Sequence, residues 1–282
     1  MQEYSNLNEA FAKELEELKT SGKEVKSRGF TQVERLFVSF KIKDPAVLEI
    51  NVPARKFNSD YAILEWLWYL QADSNVRNIG KLADIWNTIA DENNEVESNY
   101  GFYLQDQWAW LIKELLCDSD TRRATAVINQ PYHKSKNPKD YPCTQYIHFF
   151  IRDNLLHLGV SMRSNDAVFG FCNDVFTFSL FQQLMLNELN ARGANLKLGF
   201  YHHHAGSFHV YDRHYPMMNK ITNNYCLRFK HRPYPTNLQK FVLNPELTFS
   251  KAASLGNFLQ NNLSVSEIKR ELQVSKRRLF CE

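Results

Sequence analysis

The stretch TQYIHFFIRDNLLHLGVSMRSNDAVFGFCNDVFTFSLFQQLMLNELNARG, residues 144–193, holds the pattern on which the fold turns. Thr144–Ile151 and Leu155–Arg163 are apolar runs rich in aromatic and branched residues, split by Arg152-Asp153-Asn154, a hairpin signature. Residues 174–192 then read as a long helix. Val175, Phe178, Phe181, Met185 and Leu189 share one stripe of it, and Gly193 stands just past its end. Upstream, the spacing of Leu7, Phe11, Leu15 and Leu18 predicts a helix over 4–20, stopped at Ser21-Gly22-Lys23. Val33 to Ile50 reads as one or two strands, 60–71 as a strongly apolar helix, and 80–91 and 106–117 as further helices. Downstream, Leu196–His204 and Phe208–Tyr211 read as strands, 238–250 as one more strand, and 263–279 as a terminal helix. Helices and strands mix throughout without repeats, which predicts a single α+β domain spanning residues 1–282.

Composition narrows the class. The 282 residues are 44% hydrophobic and 23% charged, which supplies a real core and excludes general disorder. The net charge of +3 is too balanced for a general nucleic-acid or membrane binder. No apolar run approaches the roughly 18 residues of a membrane helix, and the acidic start MQEYSNLNEAFAKELEELKT lacks the features of a signal peptide. Five scattered cysteines read as reduced thiols, so a cytoplasmic setting is expected.

Four features bear on chemistry. Cys143 follows Pro142 at a loop-to-strand junction, where it is either a buried small apolar residue or a nucleophile whose pKa neighbouring arginines lower. Glu65 lies among Leu64, Trp66, Leu67 and Trp68, where a carboxyl group is costly unless paired or serving a pocket. Its pKa should rise into the range of a general acid or base. Arg28, Arg122, Arg123 and Arg163 lie at turns or strand ends and have the planar fork that binds phosphate. The cluster His202, His203, His204, His209 and His214 suggests metal, but consecutive strand residues alternate faces and no carboxylate or thiol stands at ligand spacing; no metal is expected. The basic segment SVSEIKRELQVSKRRLFCE reads as a solvated terminal helix, with a partner-binding role as its alternative.

Six segments in order, EWLWYL (65–70), SNYG (98–101), DTRR (120–123), PC (142–143), RSNDAVFGFCND (163–174) and GSFHVYDRH (206–214), resemble the thymidylate synthase family. The resemblance runs from about residue 60 to 216, and the part from about 217 to 282 is divergent. It implies a large mixed β-sheet covered by helices and a two-fold homodimer through the sheet face. It also implies a pyrimidine nucleoside monophosphate and 5,10-methylenetetrahydrofolate as substrates. Residue by residue, Cys143 matches the nucleophile that adds to carbon 6 of the base. Arg163 and Ser164 match phosphate ligands, and Arg122 and Arg123 match arginines that reach the partner's phosphate. Arg28 is assigned to the remaining phosphate arginine. His209 and Tyr211 match the pair on the sugar 3′-hydroxyl, and Asp166 and Trp86 match folate contacts. Glu65 matches the glutamate that organises water and proton transfer, and Tyr100 the tyrosine tied to loss of the carbon 5 proton.

Within that resemblance, Asp174 is the branch point. Synthases that use uracil carry asparagine there, whereas an acid suits the reversed donor–acceptor edge of cytosine. Capping of the following helix is the other reading of Asp174. Thr144, the run Phe102-Tyr103-Leu104 after Gly101, and Ile89 in place of a second tryptophan lean toward the phage-type deoxycytidylate hydroxymethylases. His148 and Cys172 depart from the usual glutamine and proline. The expected activity is hydroxymethylation of a cytosine nucleotide; the alternatives are a methyl-transferring synthase, a cytidylate enzyme and a non-catalytic binding protein.

Overall fold

The computed structural model describes residues 1–137 and 139–281. Among these, seven strands form one mixed sheet: β1 (Gln2–Tyr4), β2 (Lys23–Ser27), β3 (Phe30–Ile42), β4 (Thr125–Val127), β5 (Thr144–Arg152), β6 (Leu155–Asp166) and β7 (Lys197–Tyr211). The order is β1-β3-β7-β6-β5-β4, with β2 also on β3. Its centre follows from the residue 144–193 pattern. β5 and β6 are antiparallel, joined at Asp153 and Asn154, both at positive φ as a tight two-residue hairpin needs. β6 and β7 are parallel, so the chain must cross over between them, and α5 (Gly170–Asn190) makes that crossing.

The other helices are α1 (Leu7–Ser21), α2 (Ser59–Leu70), α3 (Ile85–Ile89), α4 (Tyr100–Cys117), α6 (Tyr215–Lys220), α7 (Phe249–Leu255) and α8 (Val265–Leu279). α5 is buried nearly all round because it lies between β6 and β7 on one side and α1, α2, α4 and α7 on the other. Trp66 of α2 meets Phe181 of α5 edge-on at 6.1 Å, and both are wholly enclosed, as are Phe176 and Phe178. The α+β class and the mixed sheet covered by helices are as expected.

Several boundaries differ from the sequence reading. The two strands expected over 196–211 are one continuous strand, β7, through Gly206, where a Cβ would meet the Arg163 carbonyl oxygen at 2.9 Å. α4 starts at Tyr100 rather than 106 because the Asn99 side chain accepts from the Phe102 amide and caps it. α5 starts at Gly170 rather than 174, so Asp174 sits inside the helix and the capping reading falls.

The strand expected over 238–250 is absent. The Gln183 side chain of α5 takes the strand partner's place, accepting from the Leu243 amide and donating to the Phe241 carbonyl, each at 2.9 Å. Only isolated bridges to Val47 and Phe280 remain, and the end of the stretch forms α7. α8 buries Ile268, Leu272 and Leu279 and leaves its basic side in solvent. Among the described residues, no helix is long and apolar enough to cross a membrane.

Candidate active site

Cys143 stands where the loop from Tyr141 enters β5, beside an irregularity in β5–β6 pairing at Thr144–Tyr146. Arg163 on β6 holds that loop. Its backbone amide donates to the Cys143 carbonyl at 2.9 Å, its Nε to the Pro142 carbonyl at 3.2 Å and its Nη2 to the Tyr141 carbonyl at 2.5 Å. The same Nη2 lies 3.7 Å from Cys143 Sγ. Burial pushes the Cys143 thiol up; Arg163 and Arg28 pull it down, while Asp174 and Asp140 push further up. The expectation of a lowered thiol is therefore not met in the chain alone, because loss of water outweighs the arginines. Arg28 reaches this neighbourhood from the β2–β3 hairpin, where Arg28 and Gly29 have φ of 50° and 86°. Its charge acts on both Cys143 and Tyr211.

Helices supply a second group of side chains. Glu65 of α2 is buried, and its Oε1 accepts from Tyr61 Oη at 2.7 Å, which in turn accepts from Trp86 Nε1 at 2.9 Å. Burial pushes Glu65 up to about 7, against the hydrogen bond from Tyr61, as the sequence led us to expect. Burial, and then the nearby Glu65 charge, push Asp174 of α5 up to about 8. Asn165 Nδ2 donates to Asp174 Oδ2 at 2.8 Å, while Asn165 Oδ1 meets His203 Nε2 at 3.1 Å. Burial drops the imidazole of His203 to about 3, so it is neutral. An amide oxygen only accepts, so His203 Nε2 carries the hydrogen and the Asn165 NH₂ group must face Asp174. Tyr100 lies in the same space: its ring stacks between Tyr69 and Phe178, at centroid distances of 5.1 and 5.6 Å. The Asp174 and Cys143 charges both act on its hydroxyl, which burial holds well above the usual range.

A third group stands on β6 and β7. His209 is buried, with Nδ1 3.4 Å from Ser207 Oγ and Nε2 without a partner among the described residues. Its ring packs edge-on against Tyr211 at 4.8 Å. Asp166 lies opposite His209 in the β6–β7 register, and Ser164 opposite Ser207. Asp166 Oδ1 accepts from the Val168 amide at 2.9 Å.

The structure thus gathers Cys143, Arg163, Arg28, Glu65, Asp174, Tyr100, His209, Tyr211, Asp166 and Ser164 around one centre, with Trp86 tied in through Tyr61. It does not bring in Arg122 and Arg123. Both are exposed beside His148–Phe149, about 17 Å along β5 from Cys143. Arg123 Nε lies 3.6 Å from Glu114. Sequence reasoning missed Tyr61, Asn165, His203 as a site residue, and Asp140. The last accepts from the Ser98 amide and hydroxyl at 2.8 and 2.5 Å and ties the SNYG segment to the Cys143 loop. Among the described residues, no group of three or more His, Cys, Asp or Glu side chains is placed to hold a metal ion.

Comparison with known proteins identifies the family. The thymidylate synthase family model matches residues 9–247, so the match extends past residue 216 on one side and before residue 60 on the other. The deoxycytidylate 5-hydroxymethyltransferase of enterobacteria phage T2 is 30% identical over 212 residues, 71% of this chain and 83% of that protein. The phage T4 protein of the same name is 30% identical over 208 residues, 69% of this chain and 82% of its own length. A thymidylate synthase of Coxiella burnetii is 28% identical over 176 residues, 58% of this chain and 64% of that enzyme. The chain belongs to the thymidylate synthase family.

Proposed function

We propose that the chain converts deoxycytidylate, 5,10-methylenetetrahydrofolate and water to 5-hydroxymethyldeoxycytidylate and tetrahydrofolate. The carrying observation is the carboxyl pair at the base end, Glu65 at about 7 and Asp174 at about 8, with Asn165 on one oxygen of Asp174. At neutral pH the pair keeps a proton, and Asp174 is the group raised further. Asn165 donates to Oδ2, which makes Oδ2 the carbonyl-like oxygen and favours the hydrogen on Oδ1. Such a group donates from Oδ1 and accepts at Oδ2. The cytosine edge, with a bare N3 and an amino group, complements it, and the uracil edge reverses both.

The remaining roles follow from placement. Cys143 Sγ adds to carbon 6, with Arg163 and Arg28 favouring the thiolate. Arg163 holds the nucleophile's loop and also faces the nucleotide phosphate, joined by Ser164 and Arg28. His209 and Tyr211 take the sugar. Tyr100, between Cys143 and Asp174 and kept protonated by burial, positions the water through which the carbon 5 proton leaves for a carboxylate of the pair. Glu65, oriented by Tyr61, organises the water that becomes the new hydroxyl. The folate supplies a one-carbon unit at the oxidation level of formaldehyde. The residues present fit it: the indole of Trp86 packs on Trp68 at 4.7 Å as an aromatic wall, and Asp166 spends one oxygen on the backbone.

A homodimer completes the reading. Exposed apolar side chains on the sheet, Leu36 and Phe37 of β3, Val127 of β4 and Tyr146 of β5, suit burial against a second copy, and the exposed Arg122, with Arg123 once it leaves Glu114, reaches its phosphate. The whole chain is read as one catalytic domain whose divergent end, from about 217, packs on α2 and α5, in a reducing cytoplasmic setting.

The test is incubation with methylenetetrahydrofolate and each of deoxycytidylate, cytidylate and deoxyuridylate, with product mass as the readout. A hydroxymethyl product from deoxycytidylate is expected. A methyl product from deoxyuridylate, with dihydrofolate formed, would overturn this reading in favour of a synthase.

A further inference from the structure

We infer that Glu34, through Ser207, sets His209 as a hydrogen-bond acceptor and so makes a free sugar hydroxyl a requirement of the site. The inference rests on the nucleotide reading above and adds a positioning pair to it. Glu34 of β3, His209 of β7 and Asp166 of β6 form one row across three strands. Ser207 precedes His209 by two residues and so faces the same way.

The hydrogens in this row can be assigned from chemistry. Ser207 Oγ lies 2.6 Å from Glu34 Oε2, and a carboxylate has no hydrogen to give, so the hydroxyl donates to Glu34. Toward His209 Nδ1, at 3.4 Å, that oxygen can then only accept. Nδ1 therefore carries the ring hydrogen. Burial holds the imidazole below its usual range, which leaves the lone pair on Nε2. Nε2 is buried and has no partner among the described residues. An acceptor in that position binds a group with a hydrogen to donate, such as a hydroxyl. It repels a phosphate oxygen or an ether.

Glu34→Gln tests this, because a glutamine amide can donate to Ser207 and turn the serine hydrogen toward Nδ1. His209 would then carry its hydrogen on Nε2 and lose the acceptor. Binding of deoxycytidylate and of 2′,3′-dideoxycytidylate is measured by calorimetry on the native protein, Glu34→Gln and Ser207→Ala. Each variant should bind deoxycytidylate about tenfold more weakly and the dideoxy analogue unchanged. Nitrogen NMR of His209 should show a bare Nε2 in the native protein and a protonated one in Glu34→Gln. Equal losses for both nucleotides, no loss for either, or a protonated Nε2 in the native protein would overturn the inference. Deoxyuridylate and its dideoxy form run the same cycle, so a wrong base assignment leaves this test intact. If no pyrimidine nucleotide binds, the parent reading fails and this one with it.

Discussion

Glu65, Tyr100 and Asp174 project from helices α2, α4 and α5, while Arg28, Arg163, His209 and Tyr211 stand on strands and a hairpin turn. The two regions use different physics. The helical end is walled by the Tyr69–Tyr100–Phe178 stack, and burial pushes its carboxyl groups up to about 7 and 8. The strand end keeps permanent cations partly in solvent, where charge survives and attraction to an anion is general. Under the proposed function, discrimination between bases belongs to the buried end, and anchoring of any nucleotide to the other.

Substitutions can break that division in order of size. Cys143→Ala should lower turnover by about 10⁴-fold or more while nucleotide binding persists; retained turnover would remove the covalent step. Asp174→Asn should move the ratio of kcat/KM between cytosine and uracil nucleotides by about 10³-fold toward uracil. An unchanged ratio would mean that the base is read elsewhere. Arg163→Lys should weaken both nucleotides alike, by about 10²-fold, because lysine cannot serve the Tyr141 and Pro142 carbonyls and a phosphate together. A loss confined to one base would erase the proposed separation of the two ends.

Much of this was legible in the sequence, and the rest was hidden for stated reasons. The β5–β6 hairpin and α5 carry long, regular periods and were found nearly in place. β1, β2 and β4 have three to five residues, too few to show a period. Gly101 fell outside the helix expected over 106–117, yet it lies in the first turn of α4, where a Cβ would fall 1.7 Å from the Tyr69 carbonyl oxygen. Glu65 stood out as an acid among tryptophans. Asn165, Tyr61, Ser207 and Glu34 look like ordinary polar residues until strand register and helix packing set them beside Asp174, Glu65 and His209.

The smallest effect tests how the buried end keeps its proton. Tyr61 Oη donates to Glu65 Oε1 and favours the ionised carboxyl. In Tyr61→Phe the ring still fills its space, but only Trp86 is left to oppose burial and Glu65 moves higher. If ionised Glu65 organises the water, the acidic limb of kcat/KM shifts to higher pH. Activity at pH 7 falls about tenfold and recovers as pH rises. Stability changes in a matching direction. A carboxyl raised in the fold holds a proton that the unfolded chain has released, so stability falls as pH climbs from the ordinary carboxylate range through about 7. The variant should lose more over that climb, and melting curves across pH check it. A packing defect would lower activity and melting temperature equally at every pH. A limb that stayed in place would show that Glu65 works in its protonated form, and that the buried end stores a proton for donation rather than for removal.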